Sequence, residues 1–238
     1  MEVLGFIPAR GGSKGIKNKN IKSLNGQPLL WHTATEAMKS RISRPLLSTD
    51  SNEIAELGRS LGLSVPFLRP NSLSGDKASI EDAIGYTLKT LKEVENYTPD
   101  VIVLLQPTSP LRRAFHINEA LDLLKNETDT VVSVSEPMEH PADMVLCEPE
   151  GTFEYLLQEN TKGTVQRQAF RPYKFINGAV YVFWVKTYEK YQSRFGKTVR
   201  PYLMDQKYSI DIDSELDFEI ASILMEKNLK TGETNARL

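Results

Sequence analysis

Short apolar runs alternate with amphipathic stretches along the first two thirds of the chain. Val3 to Ile7 reads as a buried strand, and Leu29 to Met38 as a helix. "PLLSTD" at 45–50 is a second strand, and Asn52 to Leu61 is a helix with Ile54, Leu57 and Leu61 on one stripe. "SVPFL" at 64–68 predicts a third strand. Ser79 to Glu95 predicts a long helix with Ile84, Leu88 and Leu91 stacked. "VIVLLQ" at 101–106 is apolar almost throughout and is the clearest strand. A helix over Phe115 to Lys125 and the strand "TVVSV" at 130–134 follow. Continuous apolar strands separated by helices predict a largely parallel sheet covered on both faces.

The rhythm breaks near Glu136. From 136 to 172 the chain is polar and irregular, with Pro137, Pro141 and Pro149 close together, which suits an inserted hairpin or arm. "NGAVYVFW" at 177–184 is again a strand, and Lys186 to Arg194 predicts a helix. "YSIDIDSELDFEIASIL" closes with an extended piece and a helix. The final "KTGETNARL" reads as a frayed end.

Composition narrows the setting. With 238 residues, 40% of them apolar, the chain can bury a full α/β core. A net charge of −2 gives no reason to expect nucleic acid or an anionic membrane as partner. Cys147 is the one cysteine, so no disulfide framework or cysteine zinc site can form, and it reads as structural. His32, His116 and His140 lack metal-ligand spacing, and His32 falls on a helix where packing explains it. No apolar run approaches the ~20 residues that span a bilayer. Met1 to Ile7 is too short for a secretory leader and leads straight into a glycine loop, so a cytoplasmic location is expected.

The chemistry concentrates in "IPARGGSKGIKNKN", directly after the first strand. A glycine loop there can bring bare N–H groups close to an anion. A dinucleotide fingerprint fits Gly12 and Gly15 but needs glycine where Arg10 stands, and a Walker loop needs lysine where Ile16 stands. A loop that holds a triphosphate with side chains as well as backbone remains, since Arg10, Lys14, Lys17 and Lys19 put four cations in ten residues. A solvated basic turn is the plain alternative.

The motif resembles the signature of the cytidylyltransferases that activate nine-carbon acidic sugars, the CMP-sialic acid synthetase family. "STD" at 48–50, "LRP" at 68–70, "LLQPTSPLR" at 104–112, "RPYKFINGAVYVF" at 171–183 and "SIDIDSELD" at 209–217 extend the likeness, in order, over about residues 3–225. The resemblance implies a Rossmann-like, mostly parallel α/β sheet flanked by helices, of the nucleotide-diphospho-sugar transferase type. It implies a single cytidylyltransferase domain over 1–238, with 136–172 as an inserted dimerisation arm and a homodimer as the assembly. A surface insert is the alternative for the arm. The implied reaction joins CTP to the anomeric hydroxyl of N-acetylneuraminic or legionaminic acid and releases pyrophosphate. Pseudaminic acid, 3-deoxy-octulosonic acid or GTP are the alternative substrates.

The resemblance also implies site residues. Arg10 and Lys19 would contact the phosphates, with Lys14 a second candidate. Gly11, Gly12, Ser13 and Asn20 would line the nucleotide site. Arg69 and Ala78 would lie around the cytosine, although Ile80 stands where sialic acid enzymes often carry another hydroxyl. Asp211 and Asp213 are two apart in an extended segment, so their carboxylates share a face while Ile210 and Ile212 point inward. Such a pair suits Mg²⁺, the expected cofactor, and the family has its metal there. Asp211 is also assigned a catalytic role beside Arg10 and Lys19, and one of the two carboxylates is a candidate to take the sugar proton. A helix cap at Asp213 or Ser214 is the competing reading, but it leaves Asp211 unexplained. Gln106 would hydrogen-bond the sugar, although a proline turn also accounts for its loop. Arg167 and Arg171 are candidates for the sugar carboxylate, through a guanidinium fork. Asn177, Phe170 and Tyr181 would shape its remaining pockets, with core packing the alternative for Tyr181.

Two other classes compete. A regulatory nucleotide-binding protein would not need Asp211, Asp213, Arg10 and Lys19 together. A dinucleotide oxidoreductase needs the absent first glycine.

Overall fold

The computed structural model describes residues 1–13, 15–75, 78–157 and 172–230. In chain order the main elements are β1 (Val3–Pro8), β2 (Ser23–Leu24), β3 (Gln27–Pro28), α1 (Leu29–Met38), β4 (Arg44–Ser48) and α2 (Asn52–Ser60). Then come α3 (Ile80–Glu95), β5 (Val101–Leu104), α4 (Ala114–Leu123), β6 (Thr130–Ser135), β7 (Val145–Cys147) and β8 (Phe153–Tyr155). β9 (Phe175–Trp184), α5 (Val185–Tyr191), β10 (Val199–Leu203) and α6 (Glu215–Lys230) complete the fold.

Six strands form the main sheet in the order β10-β6-β9-β5-β1-β4. β9 runs antiparallel to both neighbours, and the other pairings are parallel. Burial on both faces accounts for the apolar strands. Ile7, Val101 and Val103 pack with Leu30 of α1, Ile54 of α2 and Ile117 of α4. Leu4, Phe6, Ile102 and Leu104, one position out of phase, pack with Ile84 and Leu91 of α3 and Tyr188 of α5. The α/β architecture is therefore the one expected. Among the described residues no helix is long and apolar enough to cross a membrane.

Two expectations about elements are corrected and one strand is added. The strand expected at 64–68 is reduced to one bridge, Leu46 with Ser64. Pro66 has no N–H to continue a ladder, and the chain turns away to Arg69, whose N–H donates to the Thr49 carbonyl at 2.7 Å. The helix expected over Lys186 to Arg194 stops at Tyr191, because Gln192 adopts the left-handed conformation (φ 50°). β10 was not anticipated at all. It is an edge strand, mostly exposed, with Pro201 inside it.

Parallel pairing puts the carboxyl ends of β1, β4, β5 and β6 on one edge of the sheet. The chain leaves β6 at that edge, forms the antiparallel β7–β8 hairpin, and returns as β9. Val145, Leu146, Phe153 and Tyr155 on this hairpin are all exposed. Part of the expected arm, 158–171, lies outside the described residues.

A third apolar cluster connects the two ends of the chain. Ile16, from within the glycine loop, is 1% exposed and packs with Leu24, Leu29, Ile212 and Phe218. Ser214 caps α6: its Oγ accepts from Asp217 N, while Asp217 Oδ2 accepts from the Ser214 backbone N–H and hydroxyl and from Asp213 N. Burial opposes ionisation of Asp217, yet these donors hold its carboxyl below the usual range.

Candidate active site

A cavity of about 400 Å³ opens at the carboxyl edge of the sheet. One wall is the glycine loop after β1, contributing Pro8, Arg10, Ser13, Gly15, Lys19 and Asn20. The turn after β5 contributes Gln106, Pro107 and Thr108, and the segment before α6 contributes Asp211 and Asp213. Ligand sites in open α/β sheets lie at this edge.

The glycine loop is fixed by backbone as much as by charge. Gly11 N donates to Asp50 Oδ1 at 3.0 Å, and Asn20 Nδ2 donates to the Arg10 carbonyl at 3.0 Å. Gly15 rests against the segment before α6, so that a Cβ there would lie 2.5 Å from the Asp213 carbonyl oxygen. Any other residue would push loop and segment apart. Lys19 bridges the same two parts, donating to the Ile212 carbonyl at 2.6 Å and to Asp213 Oδ1 at 3.3 Å.

Asp211 differs sharply from Asp213. The Asp213 side chain is 80% exposed, whereas Asp211 Oδ1 is buried with no hydrogen-bond partner. Burial pushes the Asp211 carboxyl up from its ordinary range and neighbouring Asp213 adds to this, against a hydrogen bond from Thr108 and the charge of Lys19. A buried carboxylate oxygen without a donor is costly. A hard cation satisfies it, and Mg²⁺ is typically held by one or two carboxylates plus substrate oxygens. The donor set therefore fits that ion.

The structure brings Arg10, Ser13, Lys19, Asn20, Gln106, Asp211 and Asp213 to one cavity. Gly11 and Gly12 lie on the loop just behind Arg10, and Gly12 has open space around it. Arg69 is buried beside the loop rather than on the cavity wall. Its Nε donates to Ser74 Oγ at 3.0 Å, and burial lowers its pKa, with Asp50 opposing and Arg10 adding to the shift. Ala78 is half-buried at the approach to α3, beyond the cavity lining.

Asn177 and Tyr181 are not on the wall either. Asn177 is 1% exposed and committed internally: Oδ1 accepts from Ser133 Oγ at 2.6 Å, and Nδ2 donates to Ser209 Oγ at 2.9 Å. Tyr181 is buried in the sheet core, with its ring edge-on to Phe195 and under the Arg194 guanidinium. Lys14, Arg167, Phe170 and Arg171 lie outside the described residues.

Sequence reasoning passed over Thr108 and Asp50, although each sits in a recognised motif. The Thr108 carbonyl accepts from Ile212 N at 2.9 Å, which docks the acidic segment on the β5 turn. Asp50 anchors the glycine loop. Both roles depend on partners far away in sequence.

A sheet of this order, with a cationic glycine loop and a buried carboxylate lining one cavity at its carboxyl edge, is the arrangement of a nucleotide-binding α/β domain. Likeness to known proteins narrows this further. The cytidylyltransferase family model matches residues 4–234, so the chain belongs to the cytidylyltransferase family. An N-acylneuraminate cytidylyltransferase of Streptococcus agalactiae serotype V is 34% identical over 222 residues, covering 92% of this chain and 52% of that protein. The chain thus spans about half the length of that relative. A CMP-N,N'-diacetyllegionaminic acid synthase of Legionella pneumophila is 31% identical over 239 residues, covering 96% of this chain and 98% of that protein. In fold, the chain is similar to a solved CMP:2-keto-3-deoxy-manno-octonic acid synthetase in complex with CTP (TM-score 0.69, 15% identity, 96% of this chain and 100% of that one).

Proposed function

We propose that this chain joins CTP to the anomeric hydroxyl of a nine-carbon acidic sugar of the N-acetylneuraminic or legionaminic type, giving the CMP-sugar and pyrophosphate. The observation that carries this reading is the orphaned, buried Asp211 Oδ1 in the same cavity as Arg10 and Lys19. Family membership and the activities for which the relatives are named support it.

In this reading the triphosphate lies along the glycine loop. Arg10, Lys19 and the loop N–H groups oppose the charge that grows on the phosphate oxygens and on the leaving pyrophosphate. Lys19 then exchanges the Ile212 carbonyl and Asp213 for a phosphate oxygen. Gln106 orients the acceptor from the β5 turn. The sugar oxygen forms a bond to the α-phosphorus, the bond to the β-phosphate bridge breaks, and the hydroxyl proton leaves by way of the carboxylate pair. Asp211 and Asp213 would hold Mg²⁺, which supplies further stabilisation of phosphate charge. The exposed apolar hairpin supports a homodimer, and a cytoplasmic site of action goes with a nucleotide substrate.

Pyrophosphate release in Mg²⁺ tests the proposal directly. Each of the four nucleoside triphosphates is paired with N-acetylneuraminic, diacetyllegionaminic, pseudaminic and 3-deoxy-octulosonic acids. Release with CTP and one nine-carbon acid is expected. Release with GTP instead would mean that the base contacts differ, and silence with every acid would remove the proposal.

A further inference from the structure

Arg112 ends the "QPTSPLR" motif and is 1% exposed. Burial of a guanidinium is expensive, and an apolar side chain of similar volume often serves stability as well. Burial pulls its pKa down to about 9, with the charge of Glu36 opposing, so it stays cationic at neutral pH. Its hydrogen-bond partners are neutral oxygens. Nη1 donates to the Gln106 carbonyl at 3.1 Å and to the Ala179 carbonyl at 2.8 Å, and Nη2 donates to Thr33 Oγ1 at 2.7 Å. One side chain therefore ties α1, the β5 turn and β9 together.

β9 is irregular where Arg112 grips it. Val132 of β6 pairs with Tyr181, but Val134 pairs with Ile176, so residues 177–180 together face Ser133. Ser133 and Asn177 close this bulge: Ser133 Oγ donates to Asn177 Oδ1 and accepts from Val180 N at 2.8 Å. Gly178, inside the bulge, has φ +74°. A Cβ on it would lie 2.9 Å from Gln106 Oε1 and 3.6 Å from Asp211 Oδ2. The Gln106 amide thus rests against a bulge that Arg112 holds from behind, while Arg112 also holds the Gln106 backbone.

We propose that Arg112 is a positioning residue for the acceptor sugar, fixing the Gln106 side chain through the Gln106 and Ala179 carbonyls. This rests on the reading that Gln106 meets the sugar. The purpose of the buried cation is then geometric: two carbonyls and a hydroxyl from distant elements converge on one rigid fork, which a lysine cannot reproduce.

The test is a double-mutant cycle on Arg112→Lys and Gln106→Ala, reading KM for CTP and for the acid sugar separately. Each single variant should raise the sugar KM by about 10-fold, the effect of losing one hydrogen bond of ordinary strength. CTP KM should change less than about 3-fold. The double variant should be no worse for the sugar than Gln106→Ala alone. Independent, multiplying effects, or equal rises in both KM values, would overturn the proposal. If Arg112→Lys does not fold, Thr33→Val removes one of the three anchors. It should give the same sugar-selective shift at smaller size, and no shift would equally overturn the proposal. Wild-type protein that turns over no acid sugar removes the underlying reading, whereas an active wild type with an additive cycle removes this inference alone.

Discussion

Lys19 and Gln106 line one cavity from different elements and are held in different ways. Lys19 is held through its charge, by a carbonyl and by an aspartate whose side chain is 80% exposed. Gln106 is held through its backbone by a fully buried cation, and its side chain lies against Gly178 of a closed bulge. The Lys19 side chain is only 14% exposed, but the carboxylate end of its ion pair faces solvent, and pairs that reach solvent are worth about 0–1 kcal/mol, so this first contact can be exchanged for a ligand. The second cannot be undone without unpairing buried groups, at about 1–3 kcal/mol each. The difference teaches a division of labour: the phosphate side releases its contacts to substrate, and the acceptor side keeps its own.

The sharpest way to break this comparison is Asp211→Asn, on the carboxylate between the two walls. kcat should fall by at least roughly 10³-fold, with CTP affinity by calorimetry largely kept. Near-normal turnover would mean that the buried carboxylate takes no part. Lys19→Ala probes the exchangeable wall. It should cost about 10²-fold in kcat, yet shift Tm by less than about 4 °C, because the carboxylate end of the pair is open to solvent. A large fall in Tm would show that the lysine is structural.

Gly178→Ala should do the opposite. An L-residue in the left-handed region costs about 1–2 kcal/mol, equivalent to a Tm loss of about 2–8 °C at this size. The sugar KM should rise while the CTP KM holds. A parallel rise in both would erase the distinction between the walls.

The smallest effect concerns His116, beside Arg112 and Arg113. Burial lowers its pKa to about 3, helped by the charges of Arg112 and Arg113, and its Nδ1 accepts from Arg113 N at 3.0 Å. The unfolded chain binds a proton near pH 6.5 that the folded chain refuses, so stability is full above that value and is lost as pH falls toward 3. His116→Gln should flatten the decline of Tm between about pH 6.5 and 4. An unchanged decline would show that other groups govern acid unfolding.

Much of the sheet was legible because strands such as 101–104 are apolar on both faces, a pattern that a half-exposed strand or a surface helix does not produce. The direction of β9 was not, since an apolar run is the same read either way. β10 escaped because an exposed edge strand carries no core pattern. For the site, the loop, the Gln106 turn and the paired aspartates could be singled out as local motifs. Whether Arg69, Asn177 and Tyr181 line a cavity or lie behind it depends on packing, which no motif encodes. Arg112 escaped for the same reason: two of its three partners lie 67 and 79 residues away, and in sequence it is one arginine after a proline turn.

Lys19 reaches the Ile212 carbonyl across 193 residues, and Ile16 is buried against the start of the last helix. On a ribosome adding about 5–20 residues per second, the glycine loop emerges roughly 10–40 seconds before its anchor exists. Until then Asp50 can pin Gly11, but Lys19 lacks both of its oxygen partners and Ile16 lacks part of its apolar seat. Synthesis therefore has a fixed order of events, in which most of the sheet can pair before the segment around Ile212 emerges and the phosphate wall can close only after it.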